Sequence, residues 1–233
     1  MTKITYLITV YNEVKTVKKA IQDVIELKYK NKEIIIIDNA STDGSQLIIK
    51  NFKNENNNIK KILRKRNLGF GKSVSEGIKK AKGDYIYIQY SDLEYDHNRS
   101  IYMMNYAKKN NLDAVLGSRL KTKKKSIIKI IISKPSYLAT VITTFLINIF
   151  YGQKFTDIIG GKLYKRESIK SIKSISLHEG YDFELISRMC KQKLKIGEVS
   201  INYSPRKNSN EKKIKFYHMF NALYQIFKVK FFN

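Results

Sequence analysis

Three acidic residues follow a short apolar run near the middle of the chain. Tyr85 to Ile88 has the composition of a strand, and Asp92, Glu94 and Asp96 come shortly after it. A strand that opens into carboxylates can hold a hard divalent cation at the edge of a sheet. Mg²⁺ prefers oxygen ligands and is usually shared between one or two carboxylates and substrate phosphates. The alternative is an ordinary strand followed by an acidic, solvated turn.

Other polar residues that could do chemistry also lie at the ends of strand-like segments. Tyr11 and Glu13 follow the first such segment, and Asp38, with Asn39 after it, ends the second. A carboxylate at the position of Asp38 can accept hydrogen bonds from a nucleotide base or ribose. Arg119, at the end of Gly-Ser-Arg, offers a bidentate fork for a phosphate.

A glycine-containing turn, Asn67-Leu-Gly-Phe-Gly-Lys72, opens a predicted helix. Turns of this kind let the backbone approach a phosphate, although the spacing matches neither the dinucleotide-binding fingerprint nor the P-loop. A plain loop-to-helix turn is the alternative. Asp182 and Glu184 precede another helical run and share their segment with aromatic residues, which favours the edge of a pocket.

The elements that must position these residues alternate between strand and helix in the first half of the chain. The predicted strands are Ile4–Val10, Glu33–Ile37, Ile59–Leu63, Tyr85–Gln89 and Ala114–Leu116, and the predicted helices are Val14–Leu27, Asp43–Phe52, Lys72–Ala81 and Asn98–Lys109. This alternation indicates βαβ units and a mostly parallel sheet. Ligands of such sheets bind outside the carboxyl ends of the strands, so the polar groups are expected to converge on one edge.

The second half contains segments typical of a membrane interface. Pro135 to Gln153 contains no charged residue, and its polar residues recur at helical spacing opposite a broad apolar side. A transmembrane helix needs roughly 20 apolar residues, so this shorter segment predicts an interfacial helix, with a buried core helix as the alternative. Ile214 to Phe232 repeats phenylalanines beside lysines, which would lie on anionic headgroups.

The composition is that of a single globular domain, which we expect to cover residues 1–233. The chain has 42% hydrophobic residues, 28% charged residues and two prolines. Its net charge of +25 predicts attraction to nucleic acid, anionic lipid or phosphorylated substrates, although AT-rich coding bias contributes to it. The single Cys190 and the absence of a leader-like segment favour a reducing, cytoplasmic compartment.

Taken in order, the motifs resemble the family 2 glycosyltransferases of the GT-A fold, in the branch of dolichyl-phosphate mannose and glucose synthases and their bacterial relatives. The matching segments are Val10-Tyr-Asn-Glu13, Ile37-Asp-Asn-Ala-Ser-Thr-Asp-Gly44, Asn67-Leu-Gly-Phe-Gly71, Gly83-Asp-Tyr85, Asp92-Leu-Glu-Tyr-Asp96, Gly117-Ser-Arg119, Thr156-Asp157, Lys162-Leu-Tyr-Lys-Arg166, Asp182-Phe-Glu184 and Glu198-Val199. The resemblance implies an α/β domain in which residues 1–119 bind a nucleotide-diphospho-sugar and residues 120–233 bind the acceptor. Interfacial helices are expected at about 127–151 and 212–232. The implied reaction is an inverting transfer to a lipid-linked acceptor, above all a polyprenyl phosphate, by an enzyme peripheral on the cytoplasmic face of a membrane.

The resemblance also implies roles for individual residues. At the donor it implies Val10, Tyr11, Glu13, Asp38, Asn39, Gly69, Lys72, Ser91 and Asp92. Asp92 matches the second Asp of the Asp-x-Asp motif, which binds the Mg²⁺ or Mn²⁺ that clamps the diphosphate, and Glu94 is the second metal ligand. On the acceptor side it implies Arg119, Lys134, Lys162 and Glu184. Arg206 would belong to a loop over the diphosphate.

Four residues are the candidates for catalysis: Asp92, Asp157, Asp182 and Arg206. The cation at Asp92 and the positive charge of Arg206 would stabilise the departing diphosphate. A polyprenyl phosphate is already anionic and needs no general base. A sugar hydroxyl would need one, and Asp157 or Asp182 would supply it.

Three positions depart from the pattern of the family. Tyr90 stands where the first Asp of Asp-x-Asp is usual, Asn39 where a second Asp is usual, and His97 where a proline is common. Tyr90 leaves open weakened metal binding, or a catalytically degenerate relative that acts at the membrane. Transfer to a sugar hydroxyl in cell-surface polysaccharide or glycolipid assembly is another alternative. A nucleic-acid-binding protein is disfavoured by the acids at the strand ends and by the absence of a recognition motif.

Overall fold

The part of the chain that the structure describes contains seven strands and eight helices. This computed structural model describes residues 1–53, 58–121, 135–173, 176, 178, 180–205 and 218–232. The strands are β1 (Ile4–Val10), β2 (Lys32–Asp38), β3 (Ile59–Leu63), β4 (Tyr85–Tyr90), β5 (Ala114–Ser118), β6 (Gly161–Lys165) and β7 (Ile196–Ser200). The helices are α1 (Val17–Glu26), α2 (Ser45–Asn51), α3 (Phe70–Lys80), α4 (Arg99–Lys109), α5 (Pro135–Tyr151), α6 (Arg166–Lys170), α7 (Tyr181–Lys191) and α8 (His218–Phe231).

The strands form one sheet in the order β3-β2-β1-β4-β6-β5-β7. β1 pairs in parallel with β2 and β4, β2 with β3, and β5 with β7, whereas β6 runs antiparallel between β4 and β5. The predicted α/β fold with a mostly parallel sheet is therefore confirmed. The bounds of β1 and β3 agree with the prediction, and the other predicted elements of the first half differ by at most three residues at either end.

Apolar layers on both faces hold the central strands in place. Ile34 to Ile37 are at most 1% exposed, because helices cover both faces of a parallel sheet. On one face α1 and α4 contribute Ile21 and Met103, and on the other α3 and α7 contribute Val74 and Leu185. These layers fix the strand ends that carry the polar residues.

The sequence does not predict β6, because the strand contains a lysine at a fully buried position. Lys162 pairs with Ile88 of β4 and with Leu116 of β5, and it is 1% exposed. Gly160 leads into the strand and approaches β5 very closely. A Cβ atom at Gly160 would lie 1.8 Å from the carbonyl oxygen of Gly117, so only glycine fits there.

A third apolar cluster joins α5, α7 and α8. Ile147, Ile186 and Ile226, one from each helix, belong to it. α5 and α8 lie within the two segments predicted to be interfacial helices, of which residues 127–134 and 212–217 lie outside the described residues. Within the described residues, no helix combines the length and apolar character that crossing a membrane requires.

Candidate active site

The carboxyl ends of β1, β2 and β4 lie side by side and bring predicted donor residues together. Val10 at the end of β1 pairs with Asp38 at the end of β2, and Thr9 pairs with Tyr90 at the end of β4. The loops that follow these strands therefore leave the sheet at one edge. Ser91 is fixed there because its hydroxyl donates to the carbonyl oxygen of Thr9 at 2.9 Å.

Asp38 is fully buried, and three donors hold its carboxylate. They are the Ser41 backbone N–H at 2.9 Å, the Ser41 hydroxyl at 2.5 Å and the side-chain amide of Gln46 at 2.6 Å. The Ser41 hydroxyl also accepts a hydrogen bond from the Asn12 N–H at 2.9 Å. Asp38 thus shapes the loops after both β1 and β2, and its contact with a nucleotide stays a prediction.

Tyr11 and Glu13 lie on the loop after β1. Tyr11 is 38% exposed, whereas Glu13 is 8% exposed and accepts a hydrogen bond from the Thr16 hydroxyl at 3.2 Å. Asn12 between them has a φ of 51°, in the left-handed region that asparagine tolerates. Its side-chain oxygen accepts from the Thr42 N–H at 2.8 Å, which ties this loop to the loop after β2.

Asn39 links the end of β2 to the glycine turn. Its side-chain oxygen accepts from Arg64 Nη1 at 3.0 Å and from the Leu68 N–H at 2.9 Å, and its amide donates to Asn67 Oδ1 at 2.6 Å. Arg64 in turn forms an ion pair with Glu76 at 2.7 Å. The structure therefore gives Asn39 a role in holding the turn, while its predicted contact with the nucleotide stays a prediction.

The glycine turn ends at the start of α3. Gly69 has a φ of 86°, which lets the chain turn into the helix at Phe70. Lys72 is exposed in the first turn of α3. The positive end of a helix dipole and a lysine together favour an anion at this point.

Asp92 and Glu94 lie on one tight turn directly after β4. Leu93 between them has a φ of 61°, a strained left-handed conformation for a leucine and one that clusters at functional sites. The Glu94 N–H donates to Asp92 Oδ1 at 3.1 Å, and the Tyr203 hydroxyl donates to Glu94 Oε2 at 3.0 Å.

Two carboxylates on one turn fit a divalent cation that is shared with a substrate diphosphate. Among the described residues, no three acidic, histidine or cysteine side chains gather closely enough to hold a metal ion by themselves. Asp96, the third acid of the segment, accepts hydrogen bonds from the backbone and the side chain of Asn98 and belongs to the start of α4. Asp92 and Glu94 would thus hold Mg²⁺ or Mn²⁺, with substrate oxygens completing the coordination.

Tyr90 lies directly before this turn. Its ring stacks on Phe70 with centroids 6.1 Å apart, and Lys162 Nζ donates to its hydroxyl at 3.1 Å. Lys162 also forms an ion pair with Asp182 at 3.1 Å. Burial raises the pKa of Tyr90 well above its usual value, and the negative charges of Asp182 and Asp92 raise it further. The phenol is therefore neutral at this edge of the sheet.

Asp182 and Glu184 lie in the first turn of α7 but have different surroundings. The Asp182 side chain is 16% exposed and faces Lys162. Glu184 is 1% exposed, accepts a hydrogen bond from the Ser176 N–H at 2.6 Å and pairs with Arg188 at 2.7 Å. The structure brings Asp182 to the site, whereas the predicted acceptor contact of Glu184 stays a prediction.

Arg119 and Asp157 form a buried ion pair. Arg119 Nε and Nη2 contact the carboxylate at 2.6 and 3.0 Å, and the guanidinium lies 5.2 and 5.3 Å from the ring centroids of Tyr137 and Tyr203. Burial by itself raises the pKa of Asp157, but the charge and hydrogen bonds of Arg119 outweigh it, so the pKa is lowered. A carboxylate held ionised in this way is a weak general base. Asp157 is also fully buried, whereas the Asp182 side chain is 16% exposed and is the more accessible of the two.

Two predicted site residues, Lys134 and Arg206, lie outside the described residues. Sequence reasoning missed Arg64 and Tyr203. Arg64 follows β3 directly, so the strand-end pattern that identified Asp38 could have found it. Tyr203 follows β7, which the sequence does not predict, and no signal marks it.

The fold defines the class of protein. A structure of glucosyl-3-phosphoglycerate synthase from Mycobacterium tuberculosis, in complex with Mn²⁺, UDP and glucosyl-3-phosphoglycerate, superposes with a TM-score of 0.72 at 15% identity and covers 98% of this chain and 80% of that one. A structure of the same enzyme with Mn²⁺, UDP-glucose and phosphoglyceric acid gives a TM-score of 0.71 at 14% identity, covering 98% and 79%. At this identity the likeness shows the fold, which is the GT-A fold.

The family follows from the sequence comparison. The model of glycosyl transferase family 2 matches residues 5–173, and the chain belongs to this family of glycosyltransferases. Poly-beta-1,6-N-acetyl-D-glucosamine synthases of Staphylococcus epidermidis and Staphylococcus aureus are 36% and 35% identical to it over 126 residues. The match covers 54% of this chain and 30% of those relatives, so the chain spans less than a third of their length. The predicted fold, family and enzyme class are confirmed.

Proposed function

We propose that this chain is an inverting glycosyltransferase that moves a sugar from a nucleotide-diphospho-sugar to a lipid-linked acceptor, a polyprenyl phosphate. On this proposal it acts at the cytoplasmic face of an anionic membrane, as a member of the dolichyl-phosphate mannose and glucose synthase branch. The assignment of a lipid-linked acceptor rests on the different surroundings of the two sides of α5. One side of this helix contacts the candidate site, and the other side exposes apolar residues.

The donor half of the proposal is supported by the polar network at the carboxyl ends of β1, β2 and β4. Solved structures of the same fold contain UDP with Mn²⁺ or Mg²⁺. Asp92 and Glu94 would hold a divalent cation, which when bound offsets the charge that develops on the departing diphosphate. Lys72, exposed at the start of α3, would add positive charge near the same group.

The inner side of α5 contacts the predicted acceptor side of the site. Tyr137 lies over the Arg119 guanidinium, and the Thr140 hydroxyl is 3.5 Å from Arg119 Nη2. Asp157 engages Nε and Nη2 of Arg119, and within the described part of the chain no partner binds Nη1. Nη1 is therefore the atom of Arg119 that could reach an acceptor phosphate.

The outer side of α5 has the polarity of a lipid-facing surface. Thr143 and Thr144 are 0% and 3% exposed, whereas Phe145 and Ile149 are 60% and 59% exposed. A helix that faces water normally has the opposite arrangement. Burying threonines and exposing large apolar side chains suits a helix whose outer face meets hydrocarbon.

α8 extends this surface. Phe220, Tyr224, Phe227 and Phe231 recur at helical spacing and are 41–65% exposed, and Phe150 of α5 packs on Phe227 with centroids 5.3 Å apart. We call the exposed set the apolar face; it consists of Phe145, Ile149, Phe220, Tyr224, Phe227 and Phe231. Exposed aromatic surface on a chain with a net charge of +25 favours an anionic bilayer as the partner.

In the proposed reaction an oxygen of the acceptor phosphate attacks the anomeric carbon of the donor sugar. The bond from that carbon to the diphosphate oxygen breaks, and the nucleoside diphosphate leaves with the electron pair. Attack from the side opposite the leaving group inverts the configuration. Because the acceptor phosphate is already ionised, no side chain has to remove a proton.

A second candidate function is transfer to a sugar hydroxyl. Asp182 favours it, because this carboxylate lies at the site, is partly exposed and could serve as the base that a hydroxyl requires. The curated relatives, named as poly-beta-1,6-N-acetyl-D-glucosamine synthases, point in the same direction.

An acceptor assay tests the proposal. The protein is incubated with labelled UDP-glucose, UDP-N-acetylglucosamine or GDP-mannose, Mn²⁺ and polyprenyl phosphate in detergent micelles, and label that extracts into organic solvent is counted. Asp92→Asn should lower this label by about 100-fold or more. Asp96→Asn is the matched control, since Asp96 binds Asn98 at the start of α4.

Three outcomes would contradict the proposal. Label that is found in soluble glycans and not in the organic extract would support a sugar hydroxyl as the acceptor. Absence of transfer with any donor would support a catalytically degenerate relative. Equal activity of Asp92→Asn and wild type would remove the assigned cation site.

A further inference from the structure

Lys162 is a buried cation in the centre of the sheet that the proposed reaction leaves without a role. A buried ammonium is costly unless it is paired and hydrogen-bonded. Four oxygens within 3.2 Å provide this environment: the Tyr90 hydroxyl, the Asp182 carboxylate and the backbone carbonyls of Ile159 and Gly160. The end of β4, the first turn of α7 and the loop before β6 thus meet at one nitrogen, beside the turn that carries Asp92.

The contact with Lys162 makes the Tyr90 hydroxyl a hydrogen-bond donor. The ammonium can only donate, so the phenol oxygen is the acceptor and its own hydrogen is left for another group. In the described part of the chain no acceptor takes this hydrogen. The ring also packs on Phe70 with an interplanar angle of 11°, so the hydroxyl is held from one end by the ring and from the other by Lys162. The hydroxyl is therefore held in one place at the edge where the donor is expected.

We infer that Tyr90 donates a hydrogen bond to a diphosphate oxygen of the nucleotide-sugar, and that Lys162 is the positioning residue that fixes Tyr90 and Asp182 for this contact. The inference rests on the proposed function, since it adds a contact to the same donor.

The tyrosine at position 90 also affects how strongly nucleotide binding depends on a divalent cation. Asp92 and Glu94 already put negative charge on the turn that would face the diphosphate. An aspartate at position 90 would add a third charge, and the diphosphate would be repelled unless a cation lay between them. A neutral phenol attracts the diphosphate instead. Nucleotide binding should therefore depend less on a divalent cation with tyrosine at position 90 than with aspartate.

The test is calorimetric titration of UDP and of GDP, separately, in EDTA and in Mn²⁺. Tyr90→Phe keeps the ring on Phe70 and removes the hydroxyl, so affinity in EDTA should fall about tenfold, the loss typical of one hydrogen bond to a charged group. Tyr90→Asp should bind poorly in EDTA and recover in Mn²⁺. Tyr102→Phe, an exposed tyrosine on α4, is the matched control and should behave as wild type.

A double-mutant cycle tests the role of Lys162. Lys162→Met should cause the same loss in EDTA as Tyr90→Phe, and the double variant should lose no more than either single variant, because both changes remove one contact. Since Lys162→Met leaves Asp182 unpaired, Lys162→Met with Asp182→Asn is the substitute if the single variant does not fold. Urea unfolding of each variant checks the fold.

The outcomes separate this inference from the proposed function. If wild type binds a nucleotide but Tyr90→Phe keeps its affinity in EDTA, or if the effects of Tyr90→Phe and Lys162→Met simply add, the inference is wrong and the proposed function stands. If wild type binds neither nucleotide, with or without Mn²⁺, both are wrong.

Discussion

Asp38 is fully buried, and its carboxylate accepts hydrogen bonds from Ser41 on the loop after β2 and from Gln46 on α2. Asparagine at this position would turn an N–H₂ group toward one of these donors. A buried donor left without an acceptor costs roughly 1–3 kcal/mol. We therefore expect Asp38→Asn to lower the free energy of unfolding by about this amount and to weaken UDP or GDP binding. Urea unfolding and nucleotide titration measure the two effects, and unchanged affinity would restrict Asp38 to folding.

Asp157 gives a pH dependence whose sign follows from its pairing with Arg119. Because its pKa is lowered in the folded state, the ionised carboxylate stabilises the fold above the unfolded-state pKa of about 3.9. This contribution is lost as the pH falls through the folded-state pKa. Asp157→Asn leaves Arg119 buried without its partner, a change that costs roughly 3–5 kcal/mol. We expect a lower Tm for the variant at pH 7 and a smaller difference from wild type below about pH 4. Thermal melts from pH 7 to pH 3 test this, and a difference that is constant with pH would contradict it.

Residue positions at the sheet edge could be predicted because parallel strands share their carboxyl ends. That rule alone predicts that Asp38, Asp92 and the loop of Tyr11 lie close together. The partners of the side chains could not be predicted in the same way. Arg119 looks like a phosphate ligand in the sequence, and its bond to Asp157 joins residues 38 positions apart. Pairings of this kind depend on the packed fold.

At the scale of elements, periodicity predicts that a helix forms but not which side faces inward. For α5 the sequence indicates a polar side and an apolar side, and the usual rule buries the apolar one. The structure buries Thr140, Thr143 and Thr144 instead, with Thr140 facing Arg119, while Ile147 is buried in the apolar cluster with α7. The sequence also fails to predict β6, because a lysine at a buried position, Lys162, interrupts the apolar pattern expected of a central strand.

The threonine side of α5 contains a buried hydroxyl that no described residue binds. Thr144 is 3% exposed, and its Oγ1 has no hydrogen-bond partner in the described part of the chain, whereas Thr143 donates to the carbonyl oxygen of Ala139 at 2.8 Å. Valine keeps the branched shape and removes the hydroxyl. We expect Thr144→Val to raise the free energy of unfolding by about 1 kcal/mol, and the matched change Thr143→Val to give no gain. Urea unfolding measures both, and destabilisation by Thr144→Val would show that the hydroxyl has a partner such as water.

At the scale of the whole molecule, α5 connects two surfaces with different chemistry. Its inner side contacts Arg119, and its outer side belongs to the apolar face together with α8. If the apolar face lies in a bilayer, the predicted acceptor side of the site lies one helix diameter from the lipid, about 10 Å. A lipid phosphate could then reach the site while its chain stays in hydrocarbon. The net charge of +25 would add attraction to the anionic headgroups.

Vesicle binding tests this orientation. Flotation with phosphatidylglycerol vesicles should recover more protein than flotation with phosphatidylcholine vesicles. Binding should fall with added salt, because basic residues contribute about 1 kcal/mol each near the surface and this attraction is screened. It should not vanish, because the apolar face also inserts.

Phe145→Glu with Phe231→Glu should release the protein and keep nucleotide binding, since both side chains are about 60% exposed and their change spares the core. Leu47→Glu is the matched control, because Leu47 is 63% exposed on α2, in the half predicted to bind the nucleotide. If the double variant binds vesicles as Leu47→Glu does, the apolar face does not contact the membrane, and the polyprenyl phosphate acceptor loses its structural support.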